Sequence, residues 1–164
     1  MSVQLAAGLS DADMIWLLSL GRFQRLNKGQ ILINAGRPID DLFFVLSGGL
    51  EVVRADGTQV ATIGEGEVVG EMSFVGDDVP SVSVRAGHHS EVFITPRALI
   101  LERLEREPAI GMRFYRALAV CLANRLRETT HQVGIAVLDC APDSGSAVTG
   151  RLRRLLGSIT GSAS

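Results

Sequence analysis

The chain has 164 residues, 46% hydrophobic and 21% charged, enough for one domain with its own core. No apolar run reaches the length of a membrane span, and the first ten residues lack the basic and apolar regions of a secretory signal. The expectation is therefore a cytoplasmic protein with membrane contact unlikely and the thiols of Cys121 and Cys140 reduced. Residues 1–110 carry nine basic and fifteen acidic residues, and residues 111–164 carry seven and three; with the bulk acidic and no long basic patch the chain does not look like a nucleic-acid binder, while the basic end could dock or dimerise.

In chain order, Ser10-Asp11-Ala12-Asp13 predicts a capped helix, with Asp13 at the capping-box spacing from Ser10. Met14, Leu17 and Leu18 form its apolar stripe, widened by Ile15 and Trp16, and Gly21 ends it. From Phe23 to Ala86 the signals are β. Short apolar or alternating runs are broken by Asn27-Lys28-Gly29, Gly36-Arg37-Pro38, Ser47-Gly48-Gly49, Asp56-Gly57 and Gly64-Glu65-Gly66, which points to a sandwich or barrel. Asp56-Gly57 is the strongest hairpin signal. Residues 81–86 and 91–94 read as two more strands. Thr95-Pro96-Arg97 then opens a helix, with Thr95 as cap and Pro96 at the first helical position, ending near Glu105. A longer helix over residues 109–132 places Phe114, Leu118, Cys121, Leu122 and Leu126 near helical periods. Residues 143–150 are rich in Ser and Gly, and 151–159 (RLRRLLGSI) are basic and weakly amphipathic. The expected division is a domain over 1–134 and a tail over 135–164.

The stretch with the most chemistry is Gly70-Glu71-Met72-Ser73-Phe74, followed by the polar turn Gly76-Asp77-Asp78 and then Ser81. A glycine lets backbone approach a ligand closely, and a carboxylate can accept hydrogen bonds from sugar hydroxyls. This stretch resembles the phosphate-binding cassette of cyclic nucleotide-binding domains. Two other segments carry the same resemblance: GQILINAG (29–36) with DLFFVLSG (41–48), and EVFITPRAL (91–99). The resemblance as a whole covers about residues 9–134, and these segments carry it. The resemblance implies an α+β fold: a β-roll, or jelly-roll, with an N-terminal helix and C-terminal hinge and lid helices. It implies a ligand site at Gly70, Glu71, Met72, Ser73 and Ser81, with Glu71 on a ribose hydroxyl and the amides at Met72 and Ser73 on a cyclic phosphate.

The chain departs from the family at one position. The arginine that neutralises the phosphate falls on Pro80, or on Ser81 if the alignment shifts by one. Arg85 comes four residues too late, about 13 Å along a strand. Asp77, Asp78, Glu65 and Glu67 add negative charge nearby. The expected function is a stand-alone regulatory or sensory module that signals to a protein partner, taking a cyclic nucleotide or other small anionic ligand weakly or in altered form. The alternative is a ligand-independent dimerisation or docking scaffold with a vestigial pocket. Either could form a homodimer through the 109–132 helix. Residues 135–164 are too short and too rich in Gly and Ser for a helix-turn-helix, so DNA is not an expected partner.

Other residues support blander readings. Glu71 could simply bond the cassette backbone, and Gly64-Glu65-Gly66 is read as a plain turn. His88 and His89 are adjacent, so on a strand they would face opposite ways; a surface loop fits them better than a metal site, and no metal or cofactor is expected. His131 reads as solvated. Ser73, Ser81 and Ser83 have no histidine–acid partner in sequence context, so no catalytic residue and no enzyme activity is expected. Arg151, Arg153 and Arg154 read as a solvated face, or more sharply as a docking peptide. The sequence leaves open which of Arg116, Arg125 and Thr129 reaches the pocket.

Overall fold

The structure is a computed structural model that describes residues 5–133. The chain divides into two compact units, Met1–Leu126 and Arg127–Ser164. The tail expected over 135–164, with its basic segment at 151–159, lies outside the described residues.

A 3-10 turn at Leu5–Gly8 precedes helix α1 (Asp11–Leu20). The capping box forms as expected: the Ser10 hydroxyl accepts from the Asp13 amide at 3.2 Å, and the Asp13 carboxylate accepts from the Ser10 amide at 3.3 Å. The buried face differs from the apolar stripe. Leu17 is fully buried, but Ile15 and Leu18 face outward and Asp13 is buried in their place. A carboxylate takes this core position because an arginine described below meets it.

Eight strands follow: β1 (Arg22–Leu26), β2 (Ile31–Ile33), β3 (Asp41–Ser47), β4 (Gly49–Val53), β5 (Gln59–Gly64), β6 (Val68–Val69), β7 (Ser83–Ala86) and β8 (Ser90–Pro96). They make two antiparallel four-stranded sheets, in the orders β1-β8-β3-β6 and β2-β7-β4-β5. The fold is the β-roll with flanking helices that the resemblance implied, where the turn spacing alone pointed to a sandwich or barrel. The β4–β5 hairpin turns where expected, with Gly57 at φ +84° and the Thr58 amide donating to Asp56 Oδ1 at 2.8 Å.

β3 explains its own sequence. Side chains alternate across a strand. Phe43 and Val45 enter the core between the sheets with Leu50, Val84, Val92 and Ile94, while Leu42 packs against helices with Leu17, Ile100, Phe114 and Leu118. Buried on both faces, the strand is apolar almost throughout (DLFFVLS).

Helices α2 (Arg97–Arg106) and α3 (Pro108–Val133) complete the described chain. Phe114, Leu118 and Cys121 are buried as the periodicity implied; Leu126 is 62% exposed and does not belong to the core. The α2 cap is also displaced. Thr95 is a strand residue, paired with Leu42 on β3, and Pro96 is the N-cap. The ladder holds Thr95 extended, so helix geometry begins one residue later than the Thr-Pro signal implied. β7 likewise begins at Ser83 instead of Ser81: Pro80 has no N–H for a ladder, and its carbonyl accepts from the Gly36 amide at 2.7 Å.

Candidate functional site

The stretch singled out in the sequence forms the wall of a cavity. Gly70 ends β6's extension with φ +93°, a left-handed conformation that glycine adopts without strain. A Cβ placed there would sit 2.5 Å from the Asp41 carbonyl oxygen. Conformation and clearance therefore both require glycine. The next four residues, Glu71–Phe74, make one 3-10 turn. The Ser73 amide closes that turn on the Gly70 carbonyl at 3.2 Å, and the Ser73 hydroxyl donates to the same oxygen at 2.7 Å.

Glu71 is 2% exposed and points inward. Its carboxylate accepts from Arg125 Nη1, and Arg125 Nη2 donates to the Val68 carbonyl. Of the three long-helix candidates, Arg125 is therefore one that reaches the pocket. Burial raises the Glu71 carboxyl above the ordinary carboxylate range; Arg125 pulls the other way, and the nearby Glu67 charge adds to the rise. Glu67 itself is held in the β5–β6 turn, where it accepts from the Gly64 amide at 2.6 Å.

The cavity beside this pair measures about 160 Å³. Ile33, Ile39, Val52, Val69, Val82 and Val84 line most of it, together with Gly70, Glu71, Met72, Pro80 and Arg125. Of the expected ligand residues, Gly70, Glu71 and Met72 contribute to the wall, Ser73 is turned to its own backbone, and Ser81 is exposed between the two lining residues Pro80 and Val82. Pro80, one of the two positions on which the family resemblance places the arginine, offers the cavity hydrocarbon. Arg85 lies on β7 opposite Glu51, to which its Nε donates at 2.9 Å. Asp77 and Asp78 are exposed, as are His88 and His89 in the bend between β7 and β8.

Two contacts that the sequence did not disclose tie the cavity wall to the helices. Arg97, the first residue of α2, donates from Nε to the Ser73 carbonyl at 2.9 Å and lies over the Phe74 ring at 5.7 Å. Phe74 in turn packs on Phe114 of α3, with ring centroids 5.2 Å apart. A signal existed for the second: Phe114 sits on the helix stripe and Phe74 is the large apolar residue of the cassette. The Arg97 contact carries no such signal, because its acceptor is a backbone oxygen.

Comparison with known proteins agrees with this arrangement. Residues 23–107 match the family model described as the cyclic nucleotide-binding domain. Glutaminase 1 of Bradyrhizobium diazoefficiens is 30% identical over 131 residues, covering 80% of this chain and 21% of the glutaminase. The chain thus spans about a fifth or less of the length of the first curated relatives it matches. Among solved structures, the catabolite activator protein of Thermus thermophilus superposes with a TM-score of 0.63 at 28% identity, covering 79% of this chain and 61% of that one. A cyclic nucleotide-binding domain from Methylobacillus flagellatus shares the fold with a TM-score of 0.70 at 23% identity, covering 80% and 78%. With the matched segment running from β1 through α2 and enclosing the cassette, the chain belongs to the cyclic nucleotide-binding domain family.

Proposed function

We propose that the chain is a regulatory module that senses a small molecule in the cassette cavity and passes the signal to a protein partner in the cytoplasm, with weak or altered nucleotide binding. The observation that carries this reading is a cavity lined by Pro80, with no arginine at either of the two positions that the resemblance assigns to the phosphate cation, and whose acid, Glu71, is already engaged by Arg125. A charge-assisted hydrogen bond contributes about 1.5–3 kcal/mol, so its loss weakens a cyclic phosphate by roughly 10- to 150-fold. A ribose hydroxyl must also share Glu71 with the guanidinium. The proposed output path is the contact of Arg97 with the cassette and of Phe74 with Phe114, through which a shift of the turn moves α2 and α3. A ligand shifts such an equilibrium only by its differential affinity for the two states. The match to about a fifth of a glutaminase's length supports a module that accompanies a larger protein.

Calorimetry with cAMP and cGMP tests the reading. Wild type should bind weakly, and Pro80→Arg or Ser81→Arg should raise affinity about tenfold or more by restoring the phosphate cation. Glu71→Ala should abolish binding of any ribose-bearing ligand. Tight wild-type binding, or no gain from either arginine, would count against it.

A second reading, a ligand-independent dimerisation scaffold, is favoured by one observation. Met112 (72% exposed), Tyr115 and Leu126 (62%) lie on α3 with Ala119 and Ala123 between them. Met112, Ala119 and Leu126 repeat at seven residues, the spacing of a helix–helix seam. Sedimentation should then report a dimer without ligand and a monomer in Met112→Glu/Leu126→Glu; a wild-type monomer removes this reading.

A further inference from the structure

The cavity's chemistry is narrower than the family resemblance implies. Its walls are almost wholly aliphatic, and its two charged side chains neutralise each other at one edge. An anion brought inside must compete with Glu71 for Arg125 and sit beside a buried carboxylate. An uncharged guest leaves that pair intact. Size argues the same way. Pockets for drug-sized ligands run to about 300–1,000 Å³, whereas an engineered apolar cavity of about 150 Å³ stays dry and takes up benzene. At about 160 Å³ this pocket is closer in volume to the second, although it opens to solvent. A guest that fills it gains dispersion contacts that its aliphatic lining otherwise lacks.

We infer that this cavity takes a small uncharged apolar molecule, a single ring or short aliphatic chain of about six to eight heavy atoms, seated between Ile39, Val52 and Val82 and bounded by the Glu71–Arg125 pair. The inference rests on the sensory reading above and names its ligand class. Such a guest abuts Val69, Gly70 and Met72 directly, so occupancy bears on the turn that Arg97 joins to α2.

The test is calorimetry on the full chain with n-hexanol, hexanoate and cAMP, beside methyl carbon-13 NMR. Hexanol and hexanoate share a chain and differ in charge. Hexanol should bind with Kd below about 1 mM and hexanoate at least tenfold more weakly. Methyl shifts should concentrate at Ile39, Val52 and Val82. Val82→Phe fills the cavity and should reduce hexanol affinity at least tenfold; Ile39→Phe serves the same purpose if the first variant does not fold. The inference is overturned by hexanoate binding as well as hexanol, by methyl shifts elsewhere, by a folded filling variant that keeps its hexanol affinity, or by no hexanol binding at 10-fold that concentration. In that last case, weak cAMP binding would leave the sensory reading standing, and silence from all three probes would remove both. Tight cAMP binding beside hexanol binding would sink the weak-nucleotide reading alone.

Discussion

Two arginines of α3, twelve residues apart, each meet a buried carboxylate, and the two pairs behave in opposite ways. Arg113 grips Asp13 with two parallel hydrogen bonds of 2.9 Å, and Asp13 also accepts from the Ser10 amide. The Arg113 hydrogen bond, with help from Ser10, outweighs burial and holds the Asp13 carboxyl far below the ordinary carboxylate range. Glu71 is as little exposed but lies deeper in the protein, where desolvation is the larger cause; it meets Arg125 through one nitrogen, with Glu67 near, and burial wins. An ion pair's value therefore depends on how deeply the carboxylate is buried and how many hydrogen bonds satisfy it, not on the presence of a partner alone. One pair fastens the fold; the other stands at the cavity edge with its acid held at a cost.

Substitutions sharpen the contrast. Asp13→Ala should have the largest effect, about 2–3 kcal/mol by denaturant unfolding, since it removes a bidentate ion pair and half of a capping box; the half-exposed Arg113 returning to water limits the loss. Gly70→Ala should follow at about 2 kcal/mol, because a Cβ meets the Asp41 carbonyl in a left-handed conformation. Glu71→Gln should change stability by less than about 1 kcal/mol, since the amide oxygen still accepts from Arg125 and the change relieves a carboxylate whose charged form burial disfavours. A Glu71→Gln loss as large as that of Asp13→Ala would erase the distinction.

The pH dependences should also oppose each other. Asp13 has a lowered folded value, so its contribution is present above the unfolded carboxylate pKa, about 4, and is lost as pH falls toward the folded value. Glu71 has a raised folded value, so its contribution is complete in acid and declines as pH rises through that value. Asp13→Ala should flatten the acid limb of the stability profile, and Glu71→Gln should remove a decline at higher pH. Stability measured across pH 2–8, about the range in which carboxylates titrate, reads both.

What the sequence disclosed was local. Ser10 and Asp13 announce a capping box within four residues, and Asp56-Gly57 announces its hairpin. The cassette is legible as far as Gly70 and Glu71, whose neighbours in sequence are their neighbours in space. What the sequence hid was pairing at a distance. Asp13 reads as a cap residue, and its second role depends on a guanidinium 100 positions away. Arg85, the first arginine after the cassette in sequence, is claimed by Glu51 across the sheet. Leu18 and Leu126 fit the helical period but lie outside the buried core, because periodicity marks a stripe and not its width.

The hydrogen bond of Arg97 to the Ser73 carbonyl has a last consequence. A peptide oxygen does not titrate, and a guanidinium keeps its proton wherever proteins fold. Acid that undoes the Asp13 clasp leaves this strap in place. The linkage between cassette and α2 is thus mechanical in kind: it works like a tie rod, with the same reach in any buffer the fold survives.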